Sequence, residues 1–132
     1  MPTVRSTLVA SISVVAVAAF ASGCGSSKDT RDLGDVTVGA NTVHVSIEGD
    51  GVTAGGVTQF VVKPTAGPKP DGVTGWVGTA DATGSEKKDG VYDPNDGDFD
   101  DDVTAPNPIP AGSMYYFTVT TAGVATTASI AY

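Results

Sequence analysis

Residues 42–48 read TVHVSIE, and this stretch decides the fold class. Val43, Val45 and Ile47 alternate with polar residues, one of which is His44. Side chains along a β-strand point to opposite faces with a period of two. The segment therefore predicts a strand that buries its three apolar side chains and turns His44 towards solvent.

Segments of the same kind follow on both sides of residues 42–48. Glycine- and proline-rich turns separate them, and the chain holds 17 Gly and 8 Pro. We expect Pro64 to end the strand that precedes it, because proline cannot donate to a ladder. No segment after residue 24 shows a sustained helical period. The predicted strands are 36–38, 42–48, 57–63, 73–80, a hairpin over 91–104, 113–121 and 124–132.

This spacing predicts an all-β domain, an antiparallel β-sandwich of about seven strands, with a small barrel as the alternative. Trp76 lies on a middle strand and is the only tryptophan. The arrangement resembles immunoglobulin-like domains in architecture, although those pack the tryptophan against a disulfide, which a chain with one cysteine lacks. Trp76 is expected to anchor the core; the alternative is an exposed platform for a ligand.

The N-terminal segment has the parts of a secretory signal. Arg5 precedes the uncharged run LVASISVVAVAAF at 8–20, which is shorter than the roughly twenty residues of a membrane-spanning helix. Ala21-Ser22-Gly23-Cys24 follows, and it resembles the lipobox of bacterial lipoproteins. The resemblance implies cleavage before Cys24 and a lipid on its sulfur. Ala21 stands where the family usually has Leu, so ordinary cleavage near Ala21, leaving a free thiol, is an alternative, as is an uncleaved signal-anchor.

These features divide the chain into a signal helix at 1–23, a lipidated flexible tether at 24–35 and a β-sandwich at 36–132. The resemblance also implies a bacterial cell envelope, and Gly25 in place of Asp favours the outer membrane. After cleavage the charge would be 6 − 15 = −9, since only Arg5 is lost. Such a surface repels nucleic acid and anionic lipid headgroups, so the lipid on Cys24 would be the membrane contact.

The most acidic segment, VYDPNDGDFDDDVT at 91–104, predicts a hairpin with its turn at 94–97 and Gly97 in the left-handed conformation. Phe99, Asp101 and Val103 would share one face of the return strand. Carboxylates on the other face and at the turn could bind calcium, although their spacing does not fit an EF-hand. The alternative is a solvated acidic face that prevents edge-to-edge pairing. The candidate calcium ligands are Asp93, Asn95, Asp96, Asp98, Asp100 and Asp102.

Enzymatic chemistry is not predicted. His44 is the only histidine, which excludes a multi-histidine metal centre, and no G-x-S-x-G motif accompanies it. Aspartates in a turn also lack the environment that separates the pKa values of a glycosidase pair. Two function classes remain. One is a lipid-anchored, non-catalytic structural or interaction module that binds an envelope protein or polymer; the other is a calcium-dependent binding or sensing lipoprotein that uses residues 93–102.

Overall fold

The computed structural model describes residues 30–49 and 51–132. These residues form two antiparallel β-sheets, which confirms the predicted all-β sandwich. Among them there is no helix with the length and apolar character needed to cross a membrane. The predicted signal, Cys24 and residues 25–29 of the predicted tether lie outside the described part.

Within the described residues, nine strands make up the two sheets. The first sheet has five strands in the order β1-β2-β3-β7-β6, and the second has four in the order β5-β4-β8-β9. The strands are β1 Thr30–Val38, β2 Asn41–Glu48, β3 Val57–Ala66, β4 Gly72–Gly78, β5 Lys88–Asp89, β6 Val91–Asp93, β7 Asp98–Thr104, β8 Met114–Thr121 and β9 Val124–Ile130.

The strand order is that of an immunoglobulin-like sandwich. Strands β2-β3-β7-β6 reproduce the ABED sheet of that fold, and β4-β8-β9 reproduce its CFG sheet. Strand β1 is added beside β2, and the short β5 is added beside β4. The core between the sheets contains the three apolar residues of the 42–48 segment, as the alternation predicts.

An aromatic stack joins the sheets where antibody domains have a disulfide. Phe60 on β3 lies against Tyr115 on β8, with ring centroids 3.9 Å apart and planes 3° from parallel. Both side chains are completely buried. Strands β3 and β8 correspond to strands B and F, which the disulfide connects in antibody domains. Packing of these large rings therefore links the sheets without a covalent bond.

Strand β1 begins six residues earlier than the sequence predicts. Thr30 to Asp35 belong to the predicted tether, yet they pair with β2 from Thr30 opposite Glu48 onwards. The pairing shifts register between Asp32 and Gly34. Sequence periodicity misses this part because backbone hydrogen bonds to β2 form it while most of its side chains stay exposed.

Pro64 does not end its strand, contrary to the prediction. Strand β3 continues to Ala66, and the register with β2 shifts where Pro64 lies opposite Val43. A proline fits a ladder at such an irregularity because its missing N–H falls where regular pairing is already interrupted.

Trp76 is neither the core anchor nor an exposed platform. Val73 and Val77 on the same strand belong to the core, so Trp76 points to the outer face of the sheet. It is nevertheless only 3% exposed. Its ring stacks on Tyr116, its Nε1 donates to the Thr79 carbonyl at 2.8 Å, and the Lys87 ammonium lies 4.9 Å from the ring centroid. The residues after β4 therefore cover it from outside.

The sandwich has two ends with different loops. Thr30, the start of β1, is level with Glu48, Gln59 and Asp102 across the first sheet, and we call this the near end. The opposite, far end carries the turns at 39–40, 67–71, 94–97 and 122–123. Asn41 connects the two sheets there, because it accepts from Thr121 and donates to the Pro68 carbonyl.

Candidate functional site

The acidic hairpin predicted from the sequence is present, and its turn lies at the far end. Strands β6 and β7 pair up to Asp93 opposite Asp98. Gly97 has a φ of 72°, in the left-handed region, and its N–H donates to the Asp93 carbonyl at 2.7 Å. The Asn95 N–H donates to Asp93 Oδ1 at 2.9 Å. These bonds fix the position of the Asp93 carboxylate over the turn.

Three of the predicted ligands come together around this turn. Asp93, Asp96 and Asp98 each offer a carboxylate oxygen, and these oxygens all lie within 4.8 Å of one another. Asp93 and Asp98 are placed by the strand pairing, and Asp96 is placed by the turn between them. The arrangement is therefore an acidic group on ordered backbone, which we call the acidic triad.

Asp98 is the least exposed member of the acidic triad. It is 9% exposed, and its Oδ1 is buried without a hydrogen-bond partner. Burial raises the pKa of Asp98 above its usual range, and the negative charges of Asp100, Asp96 and Asp93 raise it further. Lys63 acts in the opposite direction. The ionised carboxylate of Asp98 therefore lacks full compensation from the surrounding side chains.

The other three predicted ligands lie outside the triad. Asp100 is opposite Val61 on β3, and burial followed by the charge of Glu48 raises its pKa. Asp102 is exposed and lies opposite Gln59, at the near end of the sandwich. The Asn95 side chain is exposed at the turn, where the residue contributes the N–H bond to Asp93.

The opposite face of β7 carries Asp101, a buried acidic residue that the sequence pattern places on the core face but that is not among the predicted functional residues. Asp101 is completely buried, and Tyr115 donates a hydrogen bond to its Oδ2 at 2.8 Å. Its Oδ1 has no partner. Burial raises the pKa of Asp101 to about 7, while the Tyr115 hydrogen bond lowers it. The signal was available in the sequence, since Asp101 alternates with Phe99 and Val103 on the core face.

His44 is held between two carboxylates on the outer face of the first sheet. Its Nδ1 lies 2.6 Å from Asp35 Oδ1, and its Nε2 lies 3.1 Å from Asp32 Oδ1. Hydrogen bonds to Asp35 and then Asp32 raise the pKa of His44 above 6.5. Both ring nitrogens are therefore donors when the ring is protonated, and neither is free to accept a proton from a nucleophile.

Comparison with known protein families, with curated proteins and with solved structures finds no match to this chain. The functional argument therefore depends on the sequence and on the geometry of the described residues.

Proposed function

We propose that this chain is a lipid-anchored, non-catalytic β-sandwich of a bacterial cell envelope, which binds another envelope protein or polymer through its far end. The position of β1 carries this proposal. Strand β1 starts at Thr30, six positions after Cys24, and it starts at the near end of the sandwich. A lipid on Cys24 would thus hold the near end towards the membrane and leave the far-end turns facing away from it.

The distance between the two ends supports this division of roles. Asp102 is level with Thr30 at the near end, and Asp98 lies four residues from Asp102 on β7, towards the far end. At roughly 3.4 Å per residue the far-end turn lies about 14 Å or more beyond the near end. Loops carried on a rigid sheet are common binding elements, and four turns converge here.

The environments of the titratable residues support a non-catalytic role. His44 uses both ring nitrogens on carboxylates, so it is poorly placed to act as a general base. Asp101 has the pKa of a potential acid or base, but it is completely buried, with no access to a substrate. The acidic surface also disfavours nucleic acid as the partner.

The anchor and the orientation can be tested separately. Intact-mass analysis of the protein from bacterial membranes should show loss of residues 1–23 and added acyl chains, and Cys24→Ser should abolish both the lipid and membrane association. A photo-crosslinking residue in place of Ala40, exposed at the far end, should capture an envelope component. The same residue in place of Ala111, exposed at the near end, is the matched control. Equal capture from both positions would refute the far-end assignment, and an unmodified Cys24 would refute the anchor.

A further inference from the structure

We propose that Asp93, Asp96 and Asp98 bind a calcium ion at the far end of the sandwich. Asp100 and Asp102 have no part in the site. The inference stands on the described residues alone, and it holds whether or not Cys24 carries a lipid.

The spacing of the three carboxylates fits calcium. Calcium binds oxygen at about 2.3–2.6 Å, so two ligands of one ion lie at most about 4.6–5.2 Å apart. The three oxygens of the triad lie within 4.8 Å of one another, so each pair is close enough to contact one calcium ion after small side-chain adjustments. Magnesium binds at about 2.0–2.1 Å in strict octahedral geometry, which requires a tighter set.

The buried oxygen of Asp98 is a second observation that points to a cation. An ionised carboxylate out of contact with water needs hydrogen bonds or a counter-charge. Asp98 Oδ1 has no hydrogen-bond partner, and the nearest charges that act on this carboxylate are mostly negative. A divalent ion shared with Asp93 and Asp96 would supply the counter-charge that this carboxylate lacks. It would also turn the repulsion among the three acids into attraction to a common charge.

The rest of the coordination sphere faces outwards. Three carboxylates supply three to six oxygens, depending on whether each binds through one or both, and calcium takes about six to eight. Asp96 is exposed at the turn, so the ion has an open side towards solvent. Water, or an oxygen of a bound partner, would complete the sphere there. The ion would also tie β6 to β7, because Asp93 and Asp98 are on opposite strands of the hairpin.

Thermal unfolding of the full-length chain tests the site. A weak site of the extracellular class, with a Kd of about 0.1–1 mM, predicts a rise in melting temperature of about 5–10 °C in 5 mM calcium. Magnesium at the same concentration, with ionic strength matched by sodium chloride, should give less than half of that rise. Asp96→Asn should abolish the rise, and since Asp96 is exposed this variant leaves the packing unchanged.

Two further variants distinguish a site from general screening of acidic charge. Asp98→Asn should raise the melting temperature without calcium, because it removes a buried unpartnered charge, and it should lose the calcium response. Asp102→Asn removes the same charge from the same strand outside the triad, so it should keep the full response. Terbium luminescence sensitised by Tyr92, the neighbour of Asp93, gives a readout independent of stability, and calcium should quench it by displacement.

Three outcomes would overturn the proposal. They are no shift at 10 mM calcium, an equal shift in Asp96→Asn and the unaltered chain, and an equal loss of response in Asp102→Asn. None of these results bears on the lipid anchor, which is tested separately by the intact mass of the mature protein.

Discussion

Replacing Asp101 by Asn should make the protein more stable at neutral pH, although the change removes a hydrogen-bonded core residue. The Asp101 carboxyl has a pKa of about 7 in the folded chain, against 3.8 for an unperturbed aspartate such as that of the unfolded chain. The folded state therefore holds this proton more tightly than the unfolded state. The resulting stability is fully present below about pH 3.8 and is lost as the pH rises through about 7.

The magnitude follows from the difference between the two pKa values. A shift of one pKa unit corresponds to about 1.4 kcal/mol, so the shift of Asp101 corresponds to about 4 kcal/mol of stability lost between pH 4 and pH 8. Asn resembles the protonated acid in shape and charge. Its carbonyl can accept the hydrogen bond that Tyr115 donates to Asp101 Oδ2 at 2.8 Å. Asp101→Asn should thus match the unaltered protein near pH 4 and exceed it by up to about 4 kcal/mol near pH 8.

Urea unfolding at several pH values, followed by Trp76 fluorescence, measures this difference. Trp76 is the only tryptophan and is buried, so its emission reports unfolding. Other residues with raised pKa values, including His44 and Asp98, are present in both proteins, and their effects cancel in the comparison. Asp102→Asn, on the exposed face, is the matched control. A stability difference between Asp101→Asn and the unaltered protein that stays constant from pH 4 to pH 8 would refute the reasoning.

Two further predictions concern the core beside Asp101 and the surface around His44. Gly75→Ala should destabilise the domain by about 1–3 kcal/mol or more in urea unfolding, because a Cβ there would collide with Asp101 and Tyr115. Gly72→Ala on the same strand meets no atom within 4 Å and is the control, and equal effects of the two would contradict the packing argument. The NMR resonances of the His44 ring should titrate with a pKa above 6.5. The stability that protonated His44 contributes is fully present below pH 6.5 and is lost as the pH rises through the raised pKa. His44→Gln should therefore lower the free energy of unfolding at pH 5.5 but change it little at pH 9. A measured pKa at or below 6.5 would exclude the two carboxylate contacts in solution.

The sequence predicted which side chains face the core in strands that are buried on one face only, and it did not do so in a strand that is buried on both faces. Along β2 the core residues Val43, Val45 and Ile47 alternate with polar ones, so the face towards the core can be deduced locally. Strand β4 is buried on both faces, with Val77 in the core and Trp76 beneath the residues that follow the strand. The alternation along β4 does not show which face Trp76 takes, because the residues that follow the strand cover its outer face.

The sequence predicted six candidate ligands in this hairpin, and the structure brings carboxylate oxygens of three of them together. Asp98 and Asp102 are four residues apart on β7, which is about 14 Å at roughly 3.4 Å per residue and more than two aspartate side chains and one calcium ion can span. Asp98, Asp100 and Asp102 therefore cannot share an ion while β7 stays extended. A compact ligand group needs a chain reversal, which brings Asp93 across the ladder to Asp98 and places Asp96 between them.

The same strand thus carries acids with opposite requirements. Asp101 faces the core, where a proton removes its charge and Tyr115 satisfies one of its oxygens. Asp98 lies on the outer face of β7, beside Asp93 and Asp96. A proton on Asp98 reduces the repulsion among the three carboxylates. A bound cation would reduce the same repulsion and leave all three carboxylates ionised. Lowering the pH therefore stabilises the folded protein through protonation of Asp101, whereas at Asp98 the proton competes with a metal ion. A chain that used this hairpin only as a solvated acidic face would have no need to bury Asp98 at all, since repulsion between edges requires exposed charge.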